Sequence, residues 1–284
     1  MKLRLFIVSL LMIFLLSGFS FAQESYCCSV PDKLANPVLR GITNVIGLNL
    51  CAKKTAKVII KKVLKRNADG EYDVKIDSFS AMDLKKGKFK SIQINGKNIA
   101  SHGVYISSIT MKSLCNYNYV EYNKNPVIFH TDLPLAFSAM ISEDDLNKSL
   151  INLGYIKKIM DLDFGGISLF CINNVEFKLK HNKIYLIVQV RSPLLMGERL
   201  IKFSFSGKLN VENGKIVLEN LASENLRNIN LGKFLDMLNA INPFDMPLQI
   251  FKGNDSTLCI NNVRIIDNKI CIDGIIVIKR SSNG

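Results

Sequence analysis

The chain has 284 residues, of which 48% are hydrophobic and 21% are charged, and its formal net charge is +13. These proportions are ordinary for a folded protein and exclude general disorder, and the length suits one large domain or two small ones. Strongly apolar sequence is confined to one stretch at the N-terminus, which excludes a protein with several transmembrane helices.

The first 22 residues carry the three parts of a secretory signal. Two basic residues precede the apolar run 5–16, and Ser20 and Ala22 are the small residues of a cleavage site. The run is about 12 residues long, whereas a membrane-spanning helix needs about 20. We therefore predict that residues 1–22 are a signal peptide, with an uncleaved anchor as the alternative. The expected location is the periplasm or cell envelope of a bacterium, with membrane association as an option.

The charge of the exported part has its own implication for partners. Without the two basic residues of the signal, 37 basic and 24 acidic residues leave a net charge of +11, and the chain holds 29 Lys but 8 Arg. Proteins that read nucleic acids favour Arg, so we expect no nucleic-acid partner. An anionic membrane surface attracts basic side chains, and the candidates for contact with head groups or that surface are Lys61, Lys62 and Lys65.

Residues 23–66 are predicted to be an amphipathic, basic helical segment. Apolar residues recur at spacings of three and four from Leu34 to Leu50, which predicts one helix or two in series over 32–66. Lysines fill the C-terminal half of this segment, where the helix dipole is negative.

From residue 67 onward the hydrophobic period falls to about two, which predicts antiparallel strands joined by short Asn-containing turns. Asn95-Gly96 is expected to end one strand. Ser142 and Asp145 form a capping-box pattern, which predicts a helix to about residue 160, and a further helix is predicted around 231–238. The predicted strands are 72–76, 89–94, 104–111, 127–140, 167–180, 183–191, 199–211, 215–221, 257–267 and 269–279.

Two of these hairpins share an internal sequence repeat. Cys171–Val175 recurs identically as Cys259–Val263, and an Asn-Lys-Ile turn follows each copy, which predicts a duplicated hairpin. The seven Cys are an odd number, so at least one is unpaired, and no CxxC pair is present. The sequence leaves the pairing open, including whether Cys171 and Cys259 form a disulfide or are both small buried residues.

The sequence contains no catalytic motif that we recognise. His102, His130 and His181 lie outside any HExxH arrangement, and the chain has neither a GxSxG elbow nor a GxxxxGK[ST] loop. Asp161–Gly166 lacks the later ligands of a calcium loop. We therefore predict that the protein is not an enzyme and has no cofactor and no metal site.

Several strands are apolar on both faces, among them 184–190 and 270–278. Such strands must be covered on both sides or line an interior cavity, and each buried methylene of a ligand contributes about 0.8 kcal/mol. We therefore expect an apolar groove that binds acyl chains. The candidate groove residues share a face by alternation, and they are Ile92, Ile94, Val104, Ile106, Ile184, Leu186, Val188 and Phe203.

Three segments share a recognisable pattern: Met82–Ile94, in which a glycine precedes an alternating strand, the strand Val104–Ile109, and Ile141–Asn147 at the start of a helix. Together they resemble the LmeA-like phospholipid-binding family of bacterial envelope proteins. The resemblance covers roughly residues 70–280. It implies that residues 67–284 form an α+β lipid-binding domain. The implied fold is a curved antiparallel β-sheet wrapped around or packed on helices, with the elongated architecture of tubular lipid-binding (TULIP-like) proteins.

The resulting hypothesis is a non-catalytic envelope protein that binds phospholipid acyl chains in an apolar groove, with lipid transfer or a membrane-surface role. The alternative is a secreted, β-rich structural or interaction module with a solid core. An enzyme is the third hypothesis, and it requires His, Asp and Ser side chains that converge in one cleft.

Overall fold

The computed structural model describes residues 28–30, 34–38, 40–41, 48–154, 171–191, 200–223 and 256–281. The predicted signal peptide, the possible calcium loop and the helix predicted around 231–238 lie outside these residues. Among the helices that the structure describes, none has the length and hydrophobicity needed to cross a bilayer.

Helices and strands alternate irregularly along the described chain. Their bounds are α1 Leu48–Asn67, β1 Asp69–Asp77, α2 Ala81–Lys85, β2 Lys88–Phe89, β3 Ser91–Ser101, β4 Val104–Ser113, β5 Asn118–Glu121, β6 Ile128–Phe129, β7 Leu133–Ser142, α3 Glu143–Asn152, β8 Cys171–Lys180, β9 Lys183–Arg191, β10 Leu200–Glu212, β11 Lys215–Ser223, β12 Ser256–Ile266 and β13 Lys269–Ile278.

The strands form three antiparallel sheets. The largest has six strands in the order β1-β3-β4-β7-β13-β12, the second has the order β11-β10-β9-β8, and a small one has the order β2-β5-β6. Every ladder is antiparallel, so the predicted antiparallel sheet in an α+β protein is confirmed.

Alternation along β7 shows how the sequence sets the two faces of the six-stranded sheet. Leu135, Phe137 and Ala139 are buried on one face, whereas Ser138 and Met140 on the other face are exposed. Because side chains alternate across a strand, a slip of one residue would turn the apolar set toward water. The hydrophobic pattern therefore fixes the register of this central strand.

Helix α1 packs on β1. Of the predicted stripe, only Leu50 falls within the described helix α1, and it is 68% exposed. Val38, before the helix, is 69% exposed, Leu34 is half-buried, and the other members lie outside the described residues. The helix instead turns a stripe with a spacing of four toward the core, in which two alanines allow a close approach to the sheet. Its members are Ala52, Ala56, Ile60 and Leu64.

One predicted boundary is wrong. Asn95-Gly96 lies inside β3, and the chain turns instead at His102 and Gly103, which both have positive φ. Gly96 serves packing, because a Cβ there would lie 3.1 Å from Cε1 of Tyr72. Helix α3 begins at the predicted capping box and ends at Asn152, and the predicted continuation in stages to about residue 160 lies outside the described residues.

The two copies of the CINNV motif occupy equivalent places in the fold. Cys171–Val175 begins the hairpin β8-β9, and Cys259–Val263 lies in the hairpin β12-β13. Each copy carries a register shift, between Ile172 and Asn174 in the first hairpin and between the corresponding residues in the second. A shared bulge at a shared motif agrees with a duplicated hairpin, because bulges are conserved features of related strands.

A disulfide attaches the N-terminal residues to the fold. Cys28 and Cys115 are bonded across 87 positions of sequence. Cys51, Cys259 and Cys271 are free. The disulfide between Cys171 and Cys259 that the sequence left open is therefore absent.

Candidate functional site

An apolar cavity of about 450 Å³ lies between helix α1 and one face of the six-stranded sheet. All six strands of that sheet contribute to its floor, and the small sheet adds Phe89, Val120 and Phe129 to its wall. A cavity of about 150 Å³ already holds benzene, and ligand sites commonly measure about 300–1,000 Å³. The space is therefore large enough for an elongated apolar ligand.

Apolar side chains of the sheet and of helix α1 line the cavity. The sheet contributes alternate residues of its inner face, such as Leu135 and Phe137 of β7 and Ile276 of β13. Helix α1 contributes Ile60 and, with it, one edge of its apolar stripe. Protein interiors normally pack at the density of organic crystals, so an apolar space of this size between two elements is unlike an ordinary core.

The structure places the eight predicted groove residues in two groups. Ile92 and Ile94 of β3 and Ile106 of β4 line the cavity, whereas Val104 is buried in β4 without lining it. The other four belong to the four-stranded sheet, where none lines the cavity, and they are Ile184, Leu186, Val188 and Phe203.

The four-stranded sheet buries its apolar residues elsewhere. The Ile260 amide of β12 donates to the Gly214 carbonyl at the tip of β10-β11, with the N and O atoms 2.9 Å apart. The Asn147 side chain of α3 exchanges two hydrogen bonds with the backbone of Phe177 in β8. This sheet therefore packs against α3 and β12, which explains why its strands are apolar without lining the cavity.

The predicted lysines lie on helix α1, outside the cavity lining. Lys62 and Lys65 are exposed, whereas Lys61 is half-buried and its Nζ lies 3.7 Å from Oδ1 of Asp73. Exposed ion pairs of this kind contribute about 0–1 kcal/mol. The contact of these three lysines with a membrane surface stays a prediction.

The mouth of the cavity is marked by its exposed lining residues, which sequence reasoning missed. Arg66, Asn67, Asn125 and Pro126 are the exposed members of the lining, and the others are buried or half-buried. The Arg66 Nη2 donates to Oδ1 of Asn125 at 2.9 Å, so the end of α1 and the loop after β5 meet there. The basic run was a signal for Arg66, but no periodic pattern marked Asn125.

Two phenols bring polar atoms to the cavity wall. The Tyr72 hydroxyl donates to the Ala68 carbonyl at 3.1 Å, and the Tyr122 hydroxyl donates to the Leu84 carbonyl at 2.7 Å. Burial raises the pKa of Tyr122, and burial followed by the charge of Asp69 raises the pKa of Tyr72. Both phenols therefore stay neutral at physiological pH, and their hydrogen bonds are already made.

The histidines lie apart from the cavity. His130 stacks on Tyr119 with ring centroids 4.0 Å apart, and its Nε2 is 3.2 Å from Oε1 of Glu121. His102 and His181 occupy hairpin turns at positive φ. In the part of the chain that the structure describes, no three His, Cys, Asp or Glu side chains gather as the ligands of a metal ion would.

Comparison with known proteins identifies no relative of the chain. No protein-family model, curated protein or solved structure matches the chain. Its function is therefore inferred from the geometry of the cavity.

Proposed function

We propose that the protein is a non-catalytic lipid-binding protein that encloses the acyl chain of a phospholipid or another acyl lipid in the cavity. The observation that supports the proposal is the cavity itself, about 450 Å³ of mostly apolar space with exposed residues at one place in its lining. A structural module with a solid core gains nothing from such a space, because each unfilled volume forfeits packing contacts.

The free energy of burying methylenes, compared with the cost of association, indicates the kind of ligand. About twelve buried methylenes contribute roughly 10 kcal/mol, whereas association costs about 4–15 kcal/mol in lost translational and rotational freedom. A long acyl chain therefore offsets more of this cost than a short apolar molecule does. This trend favours a lipid as the ligand.

The wider proposal is an exported protein of the bacterial envelope. It would be related to the LmeA-like family and share the tubular lipid-binding architecture. An antiparallel sheet with a helix packed on it supports this proposal. The Cys28–Cys115 disulfide supports export, because disulfides persist in oxidising compartments. Lys62 and Lys65 are exposed on α1 and are the proposed contacts with an anionic membrane surface.

A cavity-filling variant tests the proposal against a matched control. Ala139 of β7 lines the cavity between Ile109 and Ile272, whereas Ala136 of the same strand lies on the opposite face. We expect purified wild-type protein to carry acyl lipid in native mass spectra and to take up a fluorescent phospholipid. Ala139→Phe should lose both properties because its ring occupies the space of the chain.

Ala136→Phe adds the same ring to the same strand and should keep lipid binding. Circular dichroism and thermal unfolding establish that both variants are folded. Wild-type protein without bound lipid and without uptake contradicts the proposal, as does a folded Ala139→Phe variant that binds as wild type does.

A further inference from the structure

The mouth of the cavity holds the one charged side chain of the described lining. Of the thirty residues that line the cavity, Arg66 alone carries a charge, and it stands among the exposed members at the end of α1. Every other polar lining group is a neutral amide or phenol. The cavity therefore has an apolar interior and a cationic mouth.

The charge of Arg66 is not neutralised by a carboxylate in the described chain. Its hydrogen-bond partner among the described residues is the amide oxygen of Asn125, whereas Arg40 and Arg264 form ion pairs with Asp83 and Asp273. A guanidinium is a rigid fork that matches a carboxylate or phosphate with two parallel hydrogen bonds. Arg66 thus has donors available to an anion that arrives at the mouth.

The surroundings add positive charge to that of Arg66. Lys62 lies one helical turn before Arg66 on the same face, and Lys65 precedes it directly; both are exposed and neither forms an ion pair among the described residues. Asp69 follows the helix and is the opposing charge nearest in sequence. Three cations against one carboxylate give the end of α1 a net positive charge.

The C-terminus of α1 is the feature that disfavours an anion, because its carbonyls carry partial negative charge. Three carbonyls near this end already accept hydrogen bonds. The Asn67 side chain donates to the Val63 carbonyl, the Ala68 amide donates to the Leu64 carbonyl, and the Ser101 hydroxyl donates to the Asn67 carbonyl. The exposed guanidinium of Arg66 therefore determines the sign of the charge at the mouth of the cavity.

We infer that the ligand is an acyl amphiphile with an anionic head group, carboxylate or phosphate, whose chain fills the cavity and whose head group binds Arg66. This inference rests on the proposed function, since it presumes that the cavity holds an acyl chain. It adds a specificity-determining residue and excludes neutral lipids as the preferred ligands.

Displacement of a neutral fluorophore, N-phenyl-1-naphthylamine, from the full-length folded protein measures the preference. Dodecanoate and dodecan-1-ol carry the same chain with a charged and a neutral head, and acetate carries the carboxylate without the chain. We expect dodecanoate to bind about threefold to tenfold more tightly than the alcohol, the range for a charge-assisted contact that solvent partly screens. Acetate should not displace the fluorophore.

The variant Arg66→Gln should remove the preference and leave the affinity for the alcohol unchanged. Lys54→Gln removes one positive charge from an exposed position of the same helix and should keep the preference. Equal affinities of wild type for both ligands, an unchanged preference in Arg66→Gln, or displacement by acetate overturns this inference alone. Failure of the fluorophore and both ligands to bind overturns the proposed function, and this inference with it.

Discussion

Asp145 is a single carboxylate that fastens helix α3 to the six-stranded sheet. One of its oxygens accepts hydrogen bonds from the backbone amide of Ser142 at 2.9 Å, from the Ser142 hydroxyl at 2.7 Å, and from the hydroxyl of Ser107 in β4. Burial acts to raise the pKa of Asp145, but these hydrogen bonds and the charge of Lys148 outweigh it, so the pKa lies below its usual range. The ionised form is therefore the one that stabilises the fold.

We predict that Asp145→Asn lowers the free energy of unfolding at neutral pH by about 1–3 kcal/mol, through loss of a helix cap and of charge-assisted hydrogen bonds. Because the folded pKa is depressed, this stabilisation is present above the unfolded pKa of about 4 and is lost as the pH falls through the folded pKa. Urea unfolding at several pH values should show the wild type and the variant converging below about pH 4.

Asp144→Asn is the control for this prediction, because Asp144 lies in the same first turn and is exposed. Its effect should be smaller than that of Asp145→Asn at neutral pH. Equal effects of the two substitutions, or a difference between wild type and Asp145→Asn that persists at low pH, would contradict the assigned role.

At the scale of elements, the residues before α1 are held to the fold at two places. The disulfide joins Cys28 to Cys115 after β4. The buried carboxylate of Asp83 in α2 accepts the Ala35 amide at 2.8 Å and the Arg40 Nε at 3.1 Å. A covalent bond and a buried ion pair together define where this segment enters the structure.

We predict that Cys115→Ala lowers the free energy of unfolding by about 2–4 kcal/mol, because the disulfide restricts a long loop in the unfolded chain. Cys51→Ala, which removes an exposed free thiol, should change it by less than about 0.5 kcal/mol. Denaturant unfolding with and without reductant provides the measurement. A reductant that leaves the wild-type stability unchanged would show that the bond contributes nothing.

Local sequence patterns predicted the positions of helices and strands better than they predicted which face of each element is buried. Period-two alternation and Asn-containing turns located the hairpins β8-β9, β10-β11 and β12-β13, although Asn95-Gly96 did not end a strand. The Ser142 and Asp145 pair located the start of α3. These signals act between residues that are close in sequence. The sequence did not mark the buried face of α1, because the helix has apolar residues on more than one side. Val58 is 66% exposed, while the smaller Ala56 is buried. Contact with β1, and not hydrophobicity alone, determines which face of α1 is buried.

At the scale of the whole molecule, the sequence could predict that apolar strands enclose something, but not where. Ile94 and Val188 lie in equally apolar alternating strands, yet only Ile94 lines the cavity, because the second sheet packs against α3 and β12. The mouth depends on a contact between Arg66 and Asn125 across 59 positions. Contacts between residues so far apart in sequence follow from the assembled topology and produce no periodic pattern in the sequence.

The central claim is that an acyl chain lies in the cavity between α1 and the six-stranded sheet. Photo-crosslinking with a fatty acid that carries a diazirine within its chain, followed by peptide mapping, tests where the chain lies. We predict labels on peptides of β3, β7 and β13, which supply Ile94, Ala139 and Ile276 to the lining. Labels confined to exposed apolar positions such as Val58, or no labels at all, would contradict the claim.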